Sequence, residues 1–455
     1  MNTLLIITGL GVLCLLLEIL NFRKGIVPFT VVGLLVALGV TMNDYGLQKG
    51  FYGNMIVVNN FSVAFSSIFI VLAILLISMS DDFYRREHAK ISDFVAIKVF
   101  MLAGAVAMVS FGNLSMFFLG IEVLSISLYI LAASNRMNVR SNEAGMKYFL
   151  LGSFASGIIL FGICLIYGAM GTFDIAEISE LSSSAELPDW FFIGIVLLTI
   201  GMLFKIAAVP FHFWAPDVYE GSPALTTSIM STLAKIVAIA TFYKLLTGMN
   251  AQLSVAYEWV LLSVSIASMT LGNIMALRQE NVKRMLAFSG IAHAGYMLMA
   301  FLNLANSASV LWYYAAAYAL AGVAAFAVVL NVCRDKQDEN IYNFNGFGKK
   351  HPVMAALLTG ALLSMAGIPV FAGFFAKFGL FMHAINAGYL VVVIAAVINS
   401  IISVGYYFKL ILAMYTKDAL DPVENPKPIY VVVAAIALLL NLAMGLFPSL
   451  VNNLI

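Results

Sequence analysis

Fourteen stretches of almost uninterrupted apolar sequence partition this chain, most of them about as long as a membrane is thick and one, 353–385, too long for a single straight span. They lie near 2–20, 26–42, 61–80, 92–110, 115–133, 145–168, 190–209, 224–247, 256–276, 284–303, 309–333, 353–385, 389–415 and 428–447. A helix needs about 20 apolar residues to cross roughly 30 Å of hydrocarbon. The pattern predicts an all-α polytopic membrane protein of about fourteen transmembrane helices. Only 10% of the residues are charged, against about 25% in soluble domains. The gaps between windows are too short for a soluble domain. The first window begins at once, without a basic lead or an Ala-x-Ala exit, so it reads as a first span and not a cleaved signal.

Basic residues orient the chain. Arg23, Lys24, Arg85, Arg86, Lys90, Arg136, Arg140, Arg278, Lys283, Arg284, Arg334, Lys336, Lys349, Lys350, Lys417 and Lys427 all fall in alternate loops. The opposite loops hold Lys49 and the acidic run Asp174, Glu177, Glu180, Glu186 and Asp189. Positive charge is retained on the cytoplasmic side, which puts both termini outside. A net charge of +1 excludes the strongly basic footprint of a nucleic-acid binder. Cys14, Cys164 and Cys333 are far apart with no CxxC spacing, which argues against a disulfide framework, a metal site or an iron–sulfur site.

Few charges enter the windows. Lys98, Lys147 and Lys244 stand near predicted helix ends, where a long side chain can snorkel to water; Lys409 fits either an inside or an edge position. Lys205, Lys235 and Lys377 are deeper or beside a break. Glu122 is the acidic residue well inside a span, with Glu18 and Glu258 near span ends. Each intramembrane charge costs about 2.5–3.5 kcal/mol on insertion scales. Proline in a helix interior removes a hydrogen bond and clashes with the preceding turn, so Pro210 and Pro369 predict breaks in the seventh and twelfth windows.

These breaks mark a repeat. V-P-F-H-F-W-A-P-D at 209–217 echoes I-P-V-F-A-G-F-F-A-K at 368–377, and S-I-S-L-Y-I-L at 125–131 echoes I-A-H-A-G-Y-M-L at 291–298. The offsets suit one duplicated five-span unit, and an odd number of spans inverts the second copy. Paired broken helices in inverted repeats are a transporter signature. The expected division is 1–89, then the repeats 90–250 and 251–415, then 416–455. Polar stripes follow helical spacing: Glu122, Ser125 and Tyr129; Ser228, Ser231 and Lys235; Ser289, His293 and Tyr296; Asn399, Ser403 and Tyr407.

Such a set can relay protons. Burial loosens an ammonium's hold on its proton and a nearby carboxylate tightens it, so Glu122 moving toward or away from Lys205 acts as a switch. Lys235 and Lys377 would pass the proton onward. The bland alternatives are specific too: a structural ion pair for a single lysine, packing for His293 and His212, and interhelical hydrogen bonding for the Ser and Tyr stripes. Several buried charges falling in two matching units favour transport.

The residues also resemble a known family. G-I-E-V-L-S at 120–125, F-K-I-A-A-V-P-F-H-F-W-A-P-D at 204–217, S-I-M-S-T-L-A-K at 228–235, V-K-R-M-L-A-F-S-G-I-A-H-A-G-Y at 282–296 and G-I-P-V-F-A-G-F-F-A-K-F at 367–378 resemble the antiporter-like, proton-pumping membrane subunits of respiratory complex I. The resemblance covers roughly 90–415. It implies fourteen helices, two inverted five-helix repeats and broken helices seven and twelve. It also implies a proton path through Glu122, Lys205, Lys235 and Lys377; Tyr129, His293 and Tyr296 of the polar stripes and His212 beside the first break are further candidates from the residues themselves.

Within that family the short chain, Lys235 and Lys377 resemble the N type. The long C-terminal arm of the L type is missing, and the M type has glutamate where Lys377 stands. The resemblance implies a bacterial inner-membrane location and no cofactor or metal in this chain. FMN, iron–sulfur clusters, NADH and quinone would belong to partner subunits, among them the M type and small subunits such as K. Two alternatives from other classes remain: a Na⁺/proton antiporter or membrane-bound hydrogenase subunit, and a pure scaffold. Hard cations prefer oxygen ligands, and a single mid-span carboxylate makes Na⁺ transport the second choice.

Overall fold

In the computed structural model, residues 2–20, 25–86, 91–184, 187–249, 255–304, 307–336, 338–419 and 425–448 are described. Arg23, Lys24, Lys90 and Glu186 of the charge argument lie outside them. Every apolar window is helical along most of its length. Among the described residues, eleven helices are long and apolar enough to cross a membrane. The chain divides into two compact units, Met1–Ala207 with Ala234–Tyr257 and Ala208–Leu233 with Glu258–Leu454.

The first unit contains α1 (Asn2–Ile19), α2 (Ile26–Asn43), α3 (Asn60–Ser78), α4 (Ser80–Arg86), α5 (Ile91–Ser110), α6 (Leu114–Ala132), α7 (Val139–Met170), α8 (Ile175–Ser184) and α9 (Asp189–Lys205). A two-stranded antiparallel hairpin, Lys49–Phe51 with Ile56–Val58, follows α2. Asparagines set several starts: Asn59 and Ser62 form a reciprocal capping box on α3, and Asn113 accepts from the Met116 N–H on α6. These caps satisfy amides that have no partner inside the helix.

The next window, 224–247, is not one regular helix. α10 (Trp214–Gly221) precedes it, α11 (Ala224–Ile229) starts it, and α12 (Lys235–Gly248) ends it, with a π-helical turn at Met230–Ala234 between them. The division between units falls in this turn. The second unit continues with α13 (Val255–Leu277), α14 (Val282–Leu298), α15 (Ala308–Val332), α16 (Phe347–Lys350), α17 (Pro352–Ala366), α18 (Ala372–Asn386), α19 (Leu390–Thr416) and α20 (Pro428–Leu446).

Both proline breaks are present. α9 stops at Lys205, and Ala207 takes a left-handed φ of 57° before Pro210. α17 stops at Ala366, with Gly367 at φ 87° and Val370 at φ 88° on either side of Pro369. Glycine accepts that region freely, whereas a β-branched valine is strained there.

Lys98 corrects the snorkelling expectation. It is 1% exposed, donates to Ser80 Oγ at 2.9 Å and lies 4.5 Å from the centroid of the Tyr84 ring. The charged stretch after α3 is not a solvated loop: it coils into α4, which packs on α5 and covers the lysine. Lys244 donates to the Val109 carbonyl at 2.7 Å, at the end of α5. Lys147 does reach a half-exposed position, paired with Glu143 at 2.7 Å. Lys409 pairs with Glu280 at 3.0 Å.

Helices α7 and α9 approach closely where glycines face each other. A Cβ on Gly162 would lie 2.8 Å from the Gly194 carbonyl oxygen, and one on Gly194 would lie 2.9 Å from that of Gly162. Small residues permit such contact between membrane helices. Gly162→Leu should therefore destabilise the chain by about 1–3 kcal/mol through overpacking. Gly157→Leu is the control, because nothing lies within 4 Å of a Cβ there. Thermal unfolding of the detergent-extracted protein reads the difference; equal midpoints would refute the packing argument.

Candidate functional site

Lys205 is the last residue of α9, and its ammonium is solvated by hydroxyls. Nζ donates to Ser125 Oγ at 2.8 Å, Ser156 Oγ at 3.2 Å and Tyr129 Oη at 3.5 Å. Ser125 and Tyr129 are one turn apart on α6, and Ser156 comes from α7. The Tyr129 ring is held edge-on by Tyr148, with centroids 4.8 Å apart. Its hydroxyl reaches into α7 at Gly152, where a Cβ would stand 2.2 Å from Tyr129 Oη. Alanine at 152 would push that hydroxyl away from the lysine.

Glu122 is almost one turn before Ser125 on α6 and is half-buried. Its Oε1 is enclosed and has no hydrogen-bond partner among the described residues. The carboxylate shares the α6 face of Ser125, which meets the ammonium, yet no ion pair forms between Glu122 and Lys205 among the described residues. The ammonium therefore rests on neutral oxygens.

Lys235 opens α12 directly after the π turn. It is 2% exposed, and its Nζ has no partner among the described residues. A buried ammonium without acceptors is costly, and π turns inside helices are frequent at functional sites. Ser228, on the same stripe, also has a buried hydroxyl without a partner among the described residues.

In the second unit the break itself supplies the ligands. Lys377, on the second turn of α18, donates to the Ala366 carbonyl at 2.8 Å and to Ser400 Oγ at 2.9 Å. Ala366 ends α17, where carbonyls lack intrahelical donors and the helix dipole is negative. The ammonium also lies 5.0 Å from the centroid of the Tyr296 ring. The Tyr296 hydroxyl itself turns to the Ala396 carbonyl at 3.2 Å.

His293 anchors a hydroxyl network beside Lys377. Its Nδ1 meets Tyr314 Oη at 2.7 Å and its Nε2 meets Tyr407 Oη at 3.2 Å. Tyr407 Oη continues to Ser289 Oγ at 2.5 Å, and Tyr318 Oη donates to the Ser231 carbonyl at 3.0 Å. A small cavity lined by His293, Tyr314, Tyr318, Ser364 and Lys377 has room for about one water. His212 lies outside this network. It is 7% exposed, and its ring centroid lies 4.2 Å from that of Phe213.

Sequence reasoning missed Ser156, Ser400, Tyr314 and Tyr318. Tyr314 and Tyr318 are four apart in W-Y-Y-A-A-A-Y, one helical face set among alanines. That spacing was the available signal, hidden because tyrosine scores as apolar. Ser156 and Ser400 carry no pattern of their own.

Residues 112–403 match the protein family described as NADH:quinone oxidoreductase/Mrp antiporter, TM. An NADH-quinone oxidoreductase subunit N from Flavobacterium johnsoniae is 67% identical over 462 residues, spanning 100% of both chains. One from Cytophaga hutchinsonii is 43% identical and covers 99% of this chain and 98% of its own. A chain of respiratory complex I from Thermus thermophilus with bound aureothin has a TM-score of 0.86 at 30% identity, covering 99% of this chain and 98% of that one. A hydroxyl-solvated lysine at each of two helix breaks thus sits on a fold and sequence shared with these proteins, and the chain belongs to the NADH:quinone oxidoreductase/Mrp antiporter family of membrane subunits.

Proposed function

We propose that this chain is the N-type, proton-translocating membrane subunit of an NADH:quinone oxidoreductase. The observation that carries the reading is Lys205: a half-buried lysine whose ammonium rests on three hydroxyls, one of them on the α6 face of a carboxylate it does not touch. Such a group gains or loses its proton according to how near Glu122 stands. Identity of 67% to a subunit N along the whole chain supports the choice of type.

The proposed relay begins at Glu122 and Lys205 and passes to Lys235, then to Lys377, with Tyr129, His293, Tyr296 and His212 assisting. Hydroxyls serve as relay members because each can accept one proton and donate another. We assign the chain fourteen spans and two inverted five-helix repeats, 90–250 and 251–415, flanked by 1–89 and 416–455. NADH oxidation and quinone reduction, with their FMN and iron–sulfur clusters, belong to partner subunits. Those partners include the antiporter-like M type and small membrane subunits such as K. The assembly resides in a bacterial inner membrane with both termini of this chain outside.

Three experiments test this. Lys205→Ala should lower proton pumping by about tenfold or more, as loss of a proton-transfer group does, in vesicles holding the assembled complex; unchanged pumping would sink the relay. Protease added to intact spheroplasts, whose outer membrane has been opened, should remove tags at both termini, and protection of either one would reverse the orientation. The native complex, extracted in mild detergent, should carry flavin and iron–sulfur subunits. Their absence, with Na⁺-dependent transport instead, would favour an antiporter.

A further inference from the structure

The C-terminal helix α20 is built from apolar residues apart from Asn441, which is 0% exposed. Its Nδ2 donates to the Ala317 carbonyl of α15 at 2.9 Å, and its Oδ1 accepts from Ser364 Oγ at 2.9 Å. A carbonyl can only accept, so the Ala317 contact fixes which end of the amide faces Ser364. Ser364 stands in the last turn of α17 and accepts from the Gly373 N–H at 3.3 Å. That amide belongs to the first turn of α18, where N–H groups lack intrahelical partners. One serine hydroxyl therefore stitches the two halves of the broken helix together, and Asn441 orients that hydroxyl.

The same stretch of α20 grips the break at further points. A Cβ on Gly445 would stand 2.4 Å from the Val370 carbonyl and 2.8 Å from the Ala372 nitrogen, while on α15 the Tyr313 hydroxyl donates to the Met444 carbonyl at 2.8 Å and holds α20 in place. A strained residue such as Val370 persists where its surroundings over-determine it. Across this break Lys377 reaches back from α18 to the Ala366 carbonyl, two residues beyond Ser364. Ser364 and Lys377 also line the same small cavity. Any drift of α17 against α18 changes the acceptors that Lys377 has.

We propose that Asn441 is a positioning residue for Lys377: through Ser364 it holds the α17–α18 break at the spacing in which the Lys377 ammonium meets Ala366 and Ser400. This rests on the reading of Lys377 as a proton-relay group. The test uses the whole complex in vesicles, read as protons pumped per NADH oxidised. Asn441→Leu keeps the bulk and removes both hydrogen bonds, and should lower the ratio several-fold. Ser364→Ala removes the same link without touching α20 and should do likewise, and serves if the leucine variant does not assemble. The double variant should be no worse than the worse single one, because both act on one link. Asn441→Asp, neutral when buried, presents the same donor and acceptor and should restore the ratio.

Deuterium exchange at residues 364–373 reads the clamp independently of pumping. Faster exchange in Asn441→Leu but not in Asn441→Asp is expected, and identical exchange overturns the proposal. A wild-type ratio in Asn441→Leu beside a lowered one in Lys377→Ala overturns the positioning role and leaves the relay standing. A wild-type ratio in Lys377→Ala overturns the relay role of Lys377, while the exchange data still decide the clamp.

Discussion

An ammonium group surrounded by hydrocarbon has no water to solvate it, so the protein must supply oxygens at the right place. A regular helix offers few: its carbonyls are already engaged by its own amides. Lys205 and Lys377 answer this differently. Lys205 ends α9 and takes hydroxyls from α6 and α7, while Lys377 follows a break and takes the carbonyl that the break released from α17. Lys235, with no acceptor among the described residues, follows a π turn. Each of these three lysines adjoins an irregularity in its helix, whereas Lys98, inside regular α5, takes its acceptor from Ser80.

Neutral oxygens matter for chemistry. A direct ion pair with Glu122 would hold the Lys205 proton firmly; hydroxyls solvate the charge and still leave the carboxylate a variable influence. The arrangement depends on small residues. Gly152 admits the Tyr129 hydroxyl, and Gly162 with Gly194 brings α9 against α7 so that Lys205 meets Ser156. In the second unit tyrosines take over the part of small hydroxyls, and His293 joins Tyr314 to Tyr407. Its two ring nitrogens let it accept at one side and donate at the other.

Much of this was legible from residue order. Hydropathy located the helices, proline located both breaks, and helical spacing put Ser125 and Tyr129 on the face of Glu122. Contacts between residues far apart in sequence were not legible. Ser156 lies 49 positions from Lys205, and a lone serine in an apolar helix has no pattern. Lys98 was misjudged because charge near a window's edge normally means water, whereas α4 folds over it. The π turn at Met230–Ala234 escaped because no proline or glycine occurs in M-S-T-L-A.

The sequence by itself determined that the chain is a many-helix membrane protein, where two helices break, and that Glu122, Lys205, Lys235 and Lys377 stand within or beside the breaks of apolar windows. Those properties follow from the cost of transferring each side chain or unpaired amide into hydrocarbon, a cost set residue by residue. Only the tertiary structure decided what solvates each charge: three hydroxyls for Lys205, a helix-end carbonyl and Ser400 for Lys377, and a stitch from Asn441 across the second break. Solvation inside a protein comes from neighbours that packing selects, and packing depends on the shape of every helix face at once.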